Sequence, residues 1–256
     1  MKIVINWILF LVVIAVNALA NILPINGYNT GQVSGFYPNY FVPAGFTFAI
    51  WGIIYLFFLS YSIAFTYFTI KQNDFPEIKK YLNAITPYYW ATCILNAAWI
   101  IAWHYLQVAL SVLIILLFLF SLIQIFVQTQ KLALNIKRDH NILIKTPFSI
   151  YIGWVSVATI ANITALLVHL KWNGFGLDPI YWSVIMIVIA IAFGLFFITK
   201  YKNIAYPLVI AWALWGIKAS QGPKVEMINQ VTMVGFLVLI FVTSKLGIQK
   251  LIALVR

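Results

Sequence analysis

Between Val108 and Val127 the chain runs through twenty residues without a single charged side chain, and of seven other apolar stretches only one holds a charge, Lys245. A bilayer-spanning helix needs roughly 20 mostly apolar residues, because lipid offers no partner to an unpaired backbone group. The eight stretches are Ile3–Ile22, Gly45–Ile70, Tyr88–Tyr105, Val108–Val127, Pro147–Leu170, Ile180–Thr199, Ile204–Ile217 and Val231–Leu246. They predict an all-α fold, a polytopic membrane helical bundle of about eight transmembrane helices. A soluble globule is excluded, since only 8% of the 256 residues carry charge, against about a quarter in soluble domains.

The charges that remain are sorted by side. With the N-terminus placed in the cytoplasm, thirteen of the sixteen basic residues fall on the cytoplasmic side, among them Lys71, Lys79, Lys80, Lys131, Lys137, Arg138, Lys145 and Arg256. Only Lys171, Lys218 and Lys224 fall opposite. The seventh stretch is short and holds Pro207 in its first turn, but removing it would carry the last three basic residues to the wrong side. This distribution matches the positive-inside rule, predicts an inner-membrane protein with both termini cytoplasmic, and explains the net charge of +11 without nucleic acid. The partners expected are the bilayer and a hydrophobic small molecule, with a homodimer left open. Lys2, the apolar run from Ile3 to Val16 and Ala18-Leu19-Ala20 also match a cleavable signal peptide; the expectation here is a retained first helix.

Leu23–Phe41 holds Pro24, Gly27, Gly31, Gly35 and Pro38 but no charge, which makes it too broken for a helix and too apolar for a solvated loop. It reads as a lid over helix ends. Only Leu106 and Gln107 separate the third and fourth stretches, so those helices should form a tight antiparallel hairpin. The lone cysteine, Cys93, forms neither an internal disulfide nor a cysteine-based zinc site.

None of the acidic residues Asp74, Glu77, Asp139, Asp178 and Glu226 lies inside a span. Carboxylate-based ion coupling and acid/base or triad catalysis lack the groups they need, and neither catalytic residues nor a metal are expected. His104, His140 and His169 are not at metal-ligand spacing on one helix; they read as interfacial histidines, with a haem-ligand role for His104 unsupported. Lys218 has no carboxylate in any span to act as the counter-ion of a retinal Schiff base.

The spans are rich instead in aromatics and carboxamides at helical spacing. Trp51, Tyr55, Phe58 and Ser62 share one face, as do Asn96, Trp99 and Trp103, and as do Tyr151, Trp154, Ala158 and Asn162. An asparagine in hydrocarbon needs a partner, so the three faces should point inward. Two readings stay open from spacing: a packed aromatic core, or an aromatic-lined pocket for a flat or rigid apolar ligand.

Three segments carry a family resemblance. Phe41-Val-Pro-Ala-Gly-Phe-Thr-Phe-Ala-Ile-Trp51-Gly-Ile-Ile-Tyr55, Leu95-Asn96-Ala-Ala-Trp99 and Trp154-Val-Ser-Val-Ala158-Thr159-Ile-Ala-Asn162 resemble, in this order, signatures of the tryptophan-rich sensory protein or translocator protein family, also called peripheral benzodiazepine receptors. The resemblance covers about Ile3 to Leu170. It implies a five-helix core over residues 1–170 with the lid at 23–41, leaving 171–256 as three additional helices. It further implies a receptor or carrier that binds tetrapyrrole-like or sterol-like molecules, with porphyrin or haem as ligand and not as a required cofactor. Carried over by position, the ligand-binding residues are Trp51, Tyr55, Asn96, Trp99, Trp154, Ala158 and Asn162. The family's aromatic residue after the last asparagine is Ile163 here, so pigment chemistry that depends on it is not implied. A transporter or permease using the added helices is the alternative reading. Trp215-Gly216-Ile217 faintly echoes Trp51-Gly52-Ile53, a likeness read as chance.

Overall fold

The computed structural model describes residues 1–132 and 138–255; Lys137 and Arg256, two of the basic residues in the charge argument, lie outside them. The described residues form the helices α1 (Lys2–Ile22), α2 (Thr30–Gly35), α3 (Ile50–Ile70), α4 (Pro76–His104), α5 (Val108–Lys131), α6 (Arg138–His169), α7 (Pro179–Tyr201), α8 (Ala205–Gln221) and α9 (Glu226–Val255), and include no strand. Each of the eight predicted spans falls on one of the long helices, and the chain is a polytopic helical bundle.

Six helices are long and apolar enough to cross a membrane by length and composition. The two others are α4, which carries Thr86, Thr92 and Asn96, and α8, which has only 17 residues. Both have a physical reason to be less lipid-like. In each, half or more of the residues are buried, so neighbouring helices take the place of lipid.

Three helices, α4, α6 and α9, begin five or more residues earlier than their apolar stretches suggest. Instead of starting at Tyr88, α4 starts at Pro76, with Glu77 in its first turn, and runs through Pro87. Ile78, Tyr81, Leu82 and Ile85 continue the buried stripe back through those extra turns, and that packing outweighs the one backbone bond a proline removes. In the same way α6 runs from Arg138 through Pro147. Carboxylates sit at helix starts, where the dipole favours them: Glu77 and Glu226 in first turns, and Asp178 at an N-cap, its Oδ1 accepting from Ile180 N–H at 2.7 Å ahead of Pro179.

By packing, the chain divides into two compact units, Met1–Val33 with Ala49–Val155, and Ser34–Phe48 with Ser156–Arg256. In the first unit α4 packs on α1, α3 and α5. The turn between α4 and α5 closes tightly: Leu106 adopts φ 58°, Leu106 N–H donates to Trp103 O at 3.0 Å and Gln107 N–H to Ala102 O at 2.9 Å. This is a Schellman closure with leucine where glycine is usual. Helix α1 is bound into this unit by polar contacts, Asn6 Nδ2 donating to Ser62 Oγ at 3.3 Å and Trp7 Nε1 to Thr66 Oγ1 at 3.0 Å.

The lid segment is less irregular than its glycines and prolines suggest. It contains a 3-10 turn at Ile25–Gly27 and the six-residue α2. Its first part closes over the end of α4. Asn26 Nδ2 donates to His104 O at 3.0 Å, and Trp103 Nε1 donates to Thr30 O at 3.3 Å.

In the second unit α7, α8 and α9 pack on one another. Glycines set the closest approaches: a Cβ on Gly194 would lie 2.8 Å from Leu239 Cδ2, and one on Gly235 would lie 2.7 Å from Ile191 Cγ1 and 3.1 Å from Leu214 Cδ1. Small residues serve this purpose in lipid, where dispersion rather than water exclusion joins helices. Phe197 and Tyr206 stack at 3.8 Å between α7 and α8.

Candidate ligand site

Helix α3 presents Trp51 and Tyr55 one turn apart, their rings stacked with centroids 5.8 Å apart and planes 14° from parallel. From α4, Trp99 lies 6.2 Å from Trp51. From α6, Tyr151 and Trp154 each meet Trp51 edge-on at 6.1 Å. Trp51 is thus the hub of four rings and is 6% exposed; Trp99 is 5% and Trp154 2% exposed. Trp103 extends the cluster, stacked on Trp99 at 6.1 Å.

Carboxamides supply the polar part. Asn96 is fully buried, accepts at Oδ1 from Asn17 Nδ2 at 2.7 Å and donates from Nδ2 to the Tyr151 hydroxyl at 2.9 Å. The chain Asn17–Asn96–Tyr151 therefore ties α1, α4 and α6 together beside the aromatic hub. At the hub, Trp51 Nε1 is buried and has no hydrogen-bond partner among the described residues. An unmet buried donor costs about 1–3 kcal/mol.

Five residues expected from the sequence, Trp51, Tyr55, Asn96, Trp99 and Trp154, belong to the first unit, and Trp51 touches all of them but Asn96. Ala158 and Asn162 lie further along α6 in the second unit, half-buried and buried; Ile163 is exposed. Sequence reasoning passed over Asn17, although an asparagine eleven residues after Asn6 in an otherwise apolar run marks a buried face by the same rule that drew attention to Asn96. Tyr151 stood on the expected face, but its central place follows from contacts with Trp51, Phe58, Phe118 and Asn96.

His104 is fully buried, with Nε2 3.1 Å from Thr30 Oγ1 and Nδ1 3.2 Å from Ile25 O. The geometry suits a neutral ring donating at Nδ1 and accepting at Nε2, which leaves neither nitrogen free for iron. Its role is to seat the lid. Lys218 Nζ lies 5.6 Å from the centre of the Trp215 ring, a cation–π arrangement.

A family model described as TSPO-like protein matches residues 3–244. The match runs through α7 and α8 and most of α9, beyond the stretch that carries the sequence resemblance. No curated protein and no solved structure matches the chain. With nearly the whole length matched, an all-helical membrane fold and the aromatic hub in its first unit, the chain belongs to the TSPO-like protein family.

Proposed function

We propose that this protein is an integral membrane receptor or carrier for a flat hydrophobic ligand of tetrapyrrole or sterol type, held in the first unit by Trp51, Tyr55, Asn96, Trp99 and Trp154. The observation that carries this reading is the unmet indole N–H of Trp51 at the centre of four rings. A core tryptophan gains nothing from that arrangement, whereas a ligand with an acceptor at its rim would satisfy the donor while its face stacks on the ring. Affinity would come from apolar area buried, at about 25 cal/mol per Å², and from stacking. The polar groups that orient a ligand in such sites are few, and the Asn17–Asn96–Tyr151 chain holds them in place.

Membership of the TSPO-like family supports the class of ligand, because the resemblance at Trp51, Asn96 and Trp154 is to a family associated with porphyrins and sterols. The distribution of basic residues supports placement in the cell membrane with both termini in the cytoplasm. Titrating the purified protein with protoporphyrin IX, and separately with cholesterol, while following tryptophan emission tests the reading. Saturable quenching by protoporphyrin at micromolar concentration or below is expected. Absence of a saturable change with either compound would contradict it.

A further inference from the structure

Before it enters α3, the chain passes through the apolar segment Val42–Thr47, irregular over Val42–Ala44 and then turning into a 3-10 helix at Gly45. Irregular backbone at membrane depth persists only where protein satisfies its polar groups. In the second unit α8 provides for three of them. Gln221 Nε2 donates to Val42 O at 2.9 Å, Ala44 N–H donates to Gly216 O at 2.9 Å, and Trp212 Nε1 donates to Thr47 O at 2.9 Å. The Phe46 ring adds an edge-on contact to Trp212 at 5.6 Å. The approach is so close that a Cβ on Gly216 would fall inside the Thr47 side chain, within 2.9 Å of its Cβ. Thr47 itself is fully buried. Gly52, the other glycine in a Trp-Gly-Ile triplet, has nothing within 4 Å of its would-be Cβ, so only Gly216 is required by contact.

The 3-10 turn Gly45–Ala49 runs without interruption into α3 at Ile50, and Trp51 follows Thr47 by one turn. We infer that α8 is a clamp for Val42–Thr47, and that Trp212, Gly216 and Gln221 act as positioning residues which, through the chain itself, fix the first turn of α3 and the pose of Trp51. The affinity part of this inference rests on the proposed function; the clamp does not.

The test joins two readouts in a Cys93→Ser background. Thr47→Cys reports clamping as its rate of reaction with a maleimide in detergent, and protoporphyrin quenching reports affinity. The clamp is loosened by Trp212→Phe with Gln221→Leu, which remove two donors and keep most of the apolar volume. The expected result is a maleimide rate at least tenfold faster at position 47 and a protoporphyrin affinity about fivefold weaker, with circular dichroism unchanged. Restoring Gln221 alone should recover part of both. An unchanged maleimide rate would overturn the clamp. A faster rate with unaltered affinity would overturn the positioning role. Failure of the unaltered protein to bind protoporphyrin would sink the proposed function and with it the positioning role, while the maleimide rates would still decide the clamp.

Discussion

At Asn96 two helix partners depend on one carboxamide, since it accepts from Asn17 and donates to Tyr151. Asn96→Leu leaves the Asn17 amide only its bond to Val13 O and removes the donor to the Tyr151 hydroxyl, and should destabilise the protein by about 1–3 kcal/mol. Asn17→Leu with Asn96→Leu should cost less than the sum of the two single changes, because the Asn17–Asn96 bond is then lost only once and neither amide is left facing an apolar replacement of the other. Thermal unfolding of the four proteins in one detergent checks this; strict additivity would show that the bond carries no coupling. A second residue-scale prediction concerns Leu106, held at φ 58°, where an L residue is strained by about 1–2 kcal/mol. Leu106→Gly should raise stability by up to about 1 kcal/mol, and Leu106→Val should lower it, since β-branching makes that conformation harder still. A Val variant as stable as the Gly variant would contradict the Schellman closure.

Among the elements, helix existence was legible in the sequence because apolar length is a direct demand of the bilayer, and all eight stretches became helices. Boundaries were less legible. Apolarity marks what lipid touches, and the first turns of α4 are held by Ile78, Tyr81, Leu82 and Ile85 on one stripe, an amphipathic signal that a search for unbroken apolar runs overlooks. The lid was expected to be unhelical from its glycines and prolines, yet Thr30–Gly35 forms a helix, and its first residue, Thr30, is fixed to α4 through His104 and Trp103. The aromatic hub was legible as three faces, but not which ring would sit at its centre, because ring-to-ring geometry depends on helix rotation. Close approach by glycine was hidden as well. Gly235→Leu should therefore push α9 from Ile191 and Leu214 at a cost of about 1–3 kcal/mol. Ile191→Ala should recover part of that loss, as unfolding of the double variant would show; no recovery would mean the two side chains do not meet.

For the whole molecule, the charge pattern and the family match agree on a multi-pass membrane protein, and the orientation proposed rests on the charge pattern alone. A cysteine at Asn29 in a Cys93→Ser background should react with an impermeant maleimide in intact cells, and one at Lys200 should react only after permeabilisation. The reverse result would invert the topology. The units differ in how much the sequence disclosed. The first carries Leu95–Trp99 and, of the two other resembling segments, the parts that hold Trp51, Tyr55 and Trp154. The rest of the second was described by apolarity and charge, and within it the seating of Val42–Thr47 on α8 depends on Gly216, whose importance becomes visible only in three dimensions. The central claim is that Trp51 is a ligand contact as well as a hub of packing, and a comparison of protoporphyrin affinity between the unaltered protein and Trp51→Phe tests it most directly. Phenylalanine keeps an aromatic plane and should cost under about 1.5 kcal/mol of stability. Losing the indole N–H and part of the stacking surface should weaken binding several-fold, on the order of 1 kcal/mol, with little change in melting temperature. A large fall in melting temperature with unaltered affinity would show that Trp51 is core alone and that any ligand binds elsewhere.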